Sequence, residues 1–77
     1  MRLTFDPRYN IAYLKLHKRT RQVITLKLSD ELNIDIAPDG TIYGIELLNA
    51  NEQLKKEDKG KLLVINEATG KKEVVNL

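Results

Sequence analysis

The sequence predicts an α+β fold: a small antiparallel β-sheet, a meander of about four strands, with one short helix after the central hairpin and a C-terminal β-hairpin. Three observations carry this. Residues 11–17, 23–28 and 32–37 alternate apolar with polar side chains, the period of a strand with unequal faces. Pro38-Asp39-Gly40 stands between two apolar stretches and has turn chemistry. Only the stretch from Asn49 to Gly60 has helix-start and helix-stop residues.

Taken in order, Leu3-Thr4-Phe5 is a short strand candidate that ends at Asp6-Pro7, because proline cannot donate to a ladder. From Ile11 to His17, Ala12, Leu14 and Leu16 share one face of a second strand, and Tyr13, Lys15 and His17 share the other. Lys18-Arg19-Thr20-Arg21 is a basic connection. Val23–Leu28 follows, with Ile24, Leu26 and Leu28 directed inward. The central hairpin comes next. Leu32, Ile34 and Ile36 alternate with polar or small residues, and Ile42–Leu48 is apolar except at Gly44 and Glu46.

Pro38, Asp39 and Gly40 suit a type I turn followed by a glycine bulge. In that register Asp35 faces Tyr43 and Ile34 faces Gly44, which puts Asp35 and Glu46 on opposite faces. A glycine inside a strand suggests a bulge or close packing above the backbone. Asn49 is placed to cap a helix, with Glu52 three residues on reaching back. Ala50 to Glu57 then gives about two turns anchored by Leu54, with Gly60 as the stop. Leu62–Ile65 and Lys72–Val75 form the terminal hairpin.

With 77 residues this is one domain, of a size that buries only about 60–65% of its unfolded surface. Residues 1–77 divide into a core sheet and helix start over 3–54 and an appended hairpin over 60–77. There is no cysteine, which removes disulfides, thiolate metal sites and thiol nucleophiles. No apolar run is long enough to span a membrane, so a cytoplasmic location is the expectation. Charge is segregated: residues 1–28 carry seven Lys/Arg and one acid, whereas residues 29–58 carry eight acids and two lysines. Cross-strand pairing of opposite charges in one sheet is the plain reading.

Chemistry is thin. His17 is the single histidine and stands among Lys15, Lys18 and Arg19, with no assignable carboxylate to orient it. The spacing of Asp35, Asp39, Gly40, Ile42 and Glu46 mimics a calcium loop, but Ala37 takes a ligand position and the flanks are strands rather than helices. No phosphate-cradling loop or nucleophile elbow is present. The chain is therefore expected to be no enzyme and to use no metal or cofactor. A basic segment at 15–21, with Lys18, Arg19 and Arg21 as contacts and tyrosines on strands, supports nucleic-acid binding as the alternative function.

Phe5-Asp6-Pro7, Asn10 to Leu16, Asn33 to Gly40 and Gly44 to Ala50 follow one another in a familiar order. This resembles the short prokaryotic proteins grouped as domain of unknown function 2283, over about residues 3–54. Gly44-Ile45-Glu46 is the most specific piece. The chain departs from the pattern where Phe5 stands for a tyrosine, Asn10 for an acid, Ala12 for a leucine and Asn51 for a serine. The resemblance implies a small sheet with a helix, polar positions of unassigned role at Asp6, Asp35 and Glu46, and an antitoxin-like role beside a small toxin-like protein.

A marginal core, open strand edges and an added hairpin together suggest a non-enzymatic protein–protein interaction module that forms a homodimer. Its expected partner surfaces are the strand edge near Tyr13 and Lys15, the Tyr43 face, and the terminal hairpin at Leu63 and Val74.

Overall fold

The most apolar strand takes the middle of the sheet. A computed structural model describes residues 1–18 and 22–77. It has strands β1 (Arg2–Asp6), β2 (Ile11–Lys15), β3 (Ile24–Ser29), β4 (Leu32–Ile36) and β5 (Ile42–Leu48) in one antiparallel sheet of order β1-β2-β5-β4-β3. A helix α1 (Ala50–Leu54) and a 3-10 turn (Asp58–Gly60) follow. Strands β6 (Lys61–Ile65) and β7 (Lys72–Asn76) form a separate two-stranded hairpin. No helix among the described residues is long and apolar enough to cross a membrane.

The expected four-strand meander needs correction. Arg2–Asp6 is a full strand, and after β2 the chain crosses to the far edge before β3, β4 and β5 return as a meander. That route places β5 between β2 and β4, so the strand with most apolar surface has a partner on each side. The strand ladder then fixes two faces. One gathers Leu3, Leu14, Ile45, Ile34 and Leu26 in a row, with Phe5, Ala12, Leu47 and Leu32 beside it. The other gathers Thr4, Tyr13, Glu46, Asn33 and Lys27, with Lys15, Gly44, Asp35 and Thr25 beside it.

At the turn, Gly40 N–H donates to Ala37 O (2.9 Å) and Ala37 N–H to Thr41 O (2.9 Å), with Asp39 Oδ1 accepting from Thr41 N–H. Gly40 has φ 90°, as the glycine bulge requires. Beyond it the expected register fails. Ile36 pairs with Ile42 but Asp35 pairs with Gly44, so Tyr43 is an extra residue in β5. The slip matters. It puts Asp35 and Glu46 on the same face rather than opposite ones, because one inserted residue reverses side-chain parity.

The helix is shorter than expected, and Asn49 does not cap it through its side chain. Asn10 does so from the β1–β2 turn: its Oδ1 accepts from Asn51 N–H (2.8 Å), and its carbonyl accepts from Ala50 N–H (2.9 Å). Asn10 reaches this position with φ 57°, a conformation asparagine tolerates better than most residues. α1 lies against β2, where Ala12 and Ala50 are fully buried, and Lys55 Nζ stands 5.1 Å over the Phe5 ring.

That covers only one end of the apolar face. Among the described residues no large side chain is fully buried, and Ile24, Leu26 and Leu28, expected to face inward, are exposed. Ile24 and Leu26 lie on the apolar side of the sheet by register, Leu28 is the unpaired residue of a bulge in β3, and no described residue buries them. Every residue of β6 and β7 is exposed as well.

Candidate functional site

The two faces of the sheet offer different chemistry. On the polar face Gly44 leaves room for the Tyr13 ring; a Cβ there would land on the Tyr13 hydroxyl and Cζ. Lying over that gap, Tyr13 O–H donates to Asp35 Oδ2 (2.7 Å), and Thr25 Oγ–H donates to Asp35 Oδ1 (2.6 Å). One row along, Asn33 Nδ2 donates to Glu46 Oε1 (2.9 Å). Two of the three motif acids are thus neighbours on one surface, each held by hydrogen bonds across strands.

Asp6 is elsewhere. It ends β1, and its carboxylate takes two bonds from the Arg8 guanidinium (3.1 and 3.0 Å) and one from Arg8 N–H. The Arg8 side chain holds the Asp6 carboxyl below its ordinary pKa. Asn10 belongs to the helix cap rather than to this row. The described residues contain no group of three or more metal-ligating side chains. The ion pairs found among them are local, Arg8 with Asp6, Lys27 with Asp30 and Lys56 with Glu52.

The expected strand edge near Tyr13 and Lys15 is an interior strand, since β2 lies between β1 and β5. The free edges are β1 and β3. Lys15 joins Arg2, His17, Lys18, Leu16 and Met1 around a shallow cavity of about 200 Å³. Of the expected nucleic-acid contacts, Lys18 is exposed at this cavity; Arg19 and Arg21 lie outside the described residues. Tyr43 is half-buried, with the exposed His17 ring edge-on to it at 5.7 Å.

Leu63 and Val74 face each other across β6–β7 and are 50% and 57% exposed. By strand parity Ile65 shares their face, flanked by Lys61 and Lys72, while Leu62, Val64 and Val75 form a second apolar face. The sequence reading missed that both faces are open. It also missed Ile24, Leu26 and Leu28 as a surface. Alternation shows which side of a strand is apolar, but not whether anything lies on it.

A family model described as protein of unknown function (DUF2283) matches residues 2–51. No curated protein and no solved structure matches the chain. The matched span takes in the five-stranded sheet and the start of α1, and ends before β6–β7. On that match, which covers well over half of the sequence, the chain belongs to the DUF2283 family.

Proposed function

We propose that this chain is a non-enzymatic protein–protein interaction module that works by self-association. One observation carries the reading. The chain exposes 6208 Å², whereas a compact monomer of 8.8 kDa exposes roughly 4,800 Å² by the usual size scaling. The surplus is on the order of 1,400 Å², and a standard interface takes about 800 Å² from each partner. The exposed surface includes nine large apolar side chains on β3, β6 and β7, of the kind that marks association sites. The radius of gyration agrees: 14.1 Å against about 11.5 Å for a compact domain of this length.

Both apolar surfaces belong to the same chain, which favours a second copy over the small toxin-like partner that family resemblance implies. The cysteine-free composition suits the reducing cytoplasm, where we place the protein. Sedimentation equilibrium checks the reading. A mass twice that of the chain at micromolar concentration is expected, and a single-chain mass up to the solubility limit would overturn it.

The basic cavity at Arg2, Lys15 and Lys18 supports nucleic-acid binding as a second reading. Anisotropy of labelled single-stranded DNA and RNA at low salt tests it. Binding that weakens steeply as salt is raised would support it, and no binding at low salt would remove it.

A further inference from the structure

The self-association reading leaves open what covers the apolar sheet face. We propose that the β6–β7 hairpin of one copy lies on the β3–β4 end of the apolar face of a second copy, and reciprocally, in a two-fold dimer. This rests on the reading above and goes further by naming the two surfaces that meet.

The hairpin needs a cover. An isolated two-stranded hairpin is at best marginal in water, and this one has no ladder to the main sheet. Its two faces differ in their surroundings. Leu62 and Leu77 share a cleft with Leu54 of α1, whereas Leu63 and Val74 line an opening with only Asp58 and Lys61 around them. The Leu63 and Val74 face is therefore the more open of the two, bordered among the described residues only by Asp58 from outside the hairpin.

The connection holds the base of the hairpin beside α1. Asp58, Lys59 and Gly60 all have positive φ (52°, 55° and 74°). Two of them are not glycine, and such a conformation persists only where the surroundings hold it. Gly60 is buried against the Lys55 stem and accepts from Leu77 N–H (3.0 Å), so both ends of the hairpin are pinned beside the helix. In this arrangement the hairpin does not lie over its own β3–β4.

The two surfaces match in size and charge. The hairpin is two strands wide and five residues long. The open part of the sheet, β3 and β4, is two strands wide with six and five residues, and presents Ile24, Leu26 and Ile34. Aligned sheets stack face to face at about 10 Å through side chains of this kind. Lys61 and Lys72 flank the hairpin's apolar row. Acids flank β3–β4 at both ends, with Asp30 and Glu31 at the β3–β4 turn and Asp39 at the next. Because each chain supplies one hairpin and one sheet face, a two-fold exchange closes and leaves no further copy to recruit.

The chain has no native cysteine, so a thiol pair reports cleanly. Leu26→Cys and Leu63→Cys would be purified separately and oxidised alone and mixed, which allows only intermolecular crosslinks. Covalent dimer forming several-fold faster in the mixture than in either variant alone is expected. In wild-type protein mixed from labelled and unlabelled chains, isotope-filtered contacts from Leu26 methyls to Leu63 and Val74 of the other copy give the same information without substitution.

A dimer whose filtered contacts join Leu26 to Leu26 would overturn this arrangement and leave self-association standing. So would a Leu26→Cys/Leu63→Cys double variant that crosslinks within a monomer, since the hairpin would then cover its own sheet. A single-chain mass at all concentrations would remove both readings.

Discussion

Gly44 and Tyr13 are each explicable only through the other. The glycine has no conformational demand of its own; its role is to leave the space that the Tyr13 ring fills on the way to Asp35. Gly44→Ala should therefore cost about 1–3 kcal/mol, the usual range for overpacking. In a Tyr13→Ala background the same change should be close to neutral, because the clashing ring is gone. Denaturant melts of the four proteins in this cycle decide it, and equal costs in both backgrounds would mean that the ring does not lie over Gly44. Asp6 allows a second test at this scale. Its half-buried carboxyl is held below its ordinary pKa chiefly by the Arg8 side chain, with the Arg8 and Tyr9 amides adding to it and desolvation opposing. A depressed folded value means the stabilisation is present above the unfolded pKa and fades as pH falls through the folded one. Arg8→Ala should move the Asp6 titration upward in a carboxyl-detected NMR series; an unmoved titration would show that the pair does not form in solution.

At the scale of elements, what was legible in the sequence was what local chemistry decides. Pro38, Asp39 and Gly40 specify a turn within three residues, and the structure has that turn. Gly44 marked a bulge or close packing, and the structure has both, but the resulting register was not legible, because the ring that packs over Gly44 comes from β2, a strand encoded some thirty residues earlier. The helix cap was missed for the same reason. Asn49 satisfied the local rule, but Asn10 arrives from another loop and takes the position. Here two of the four departures from the pattern that the resemblance implies, Asn10 and Asn51, meet. Asn10 Nδ2 donates to Asn51 Oδ1 (2.5 Å) while Asn10 Oδ1 accepts from Asn51 N–H. An acid at 10 with a serine at 51 reverses the side-chain bond, hydroxyl donating to carboxylate, and keeps the cap. Asn10→Ala should cost about 1–3 kcal/mol, about 1 from the lost cap and the rest because alanine lacks the local hydrogen bonding by which asparagine tolerates positive φ. Asn10→Asp alone sets a carboxylate against Asn51 Oδ1. Asn10→Asp with Asn51→Ser should be more stable than either single change, and additive losses in thermal melts would refute the exchange.

At the scale of the whole molecule, folding and association draw on the same surface. A chain in which only Ala12, Ala37 and Ala50 are buried apolar residues has little core of its own among the described residues. If a second copy supplies the missing cover, unfolding separates two chains and stability depends on concentration. Each tenfold dilution then removes about 1.4 kcal/mol per dimer. At roughly 2.1 cal/mol/K per residue, two 77-residue chains have an unfolding entropy near 0.32 kcal/mol/K. The melting temperature should therefore fall by about 4 °C for every tenfold dilution. Leu63→Asp sharpens the test. Leu63 is half exposed in the single chain, so a charge there costs a monomer little, yet it would be buried unpaired in the dimer. The variant should melt lower than wild type at high concentration, lose the dilution dependence, and approach the wild-type curve as wild type is diluted. A melting temperature independent of concentration in wild type, with Leu63→Asp unchanged from it, would mean that the open faces do not meet in solution.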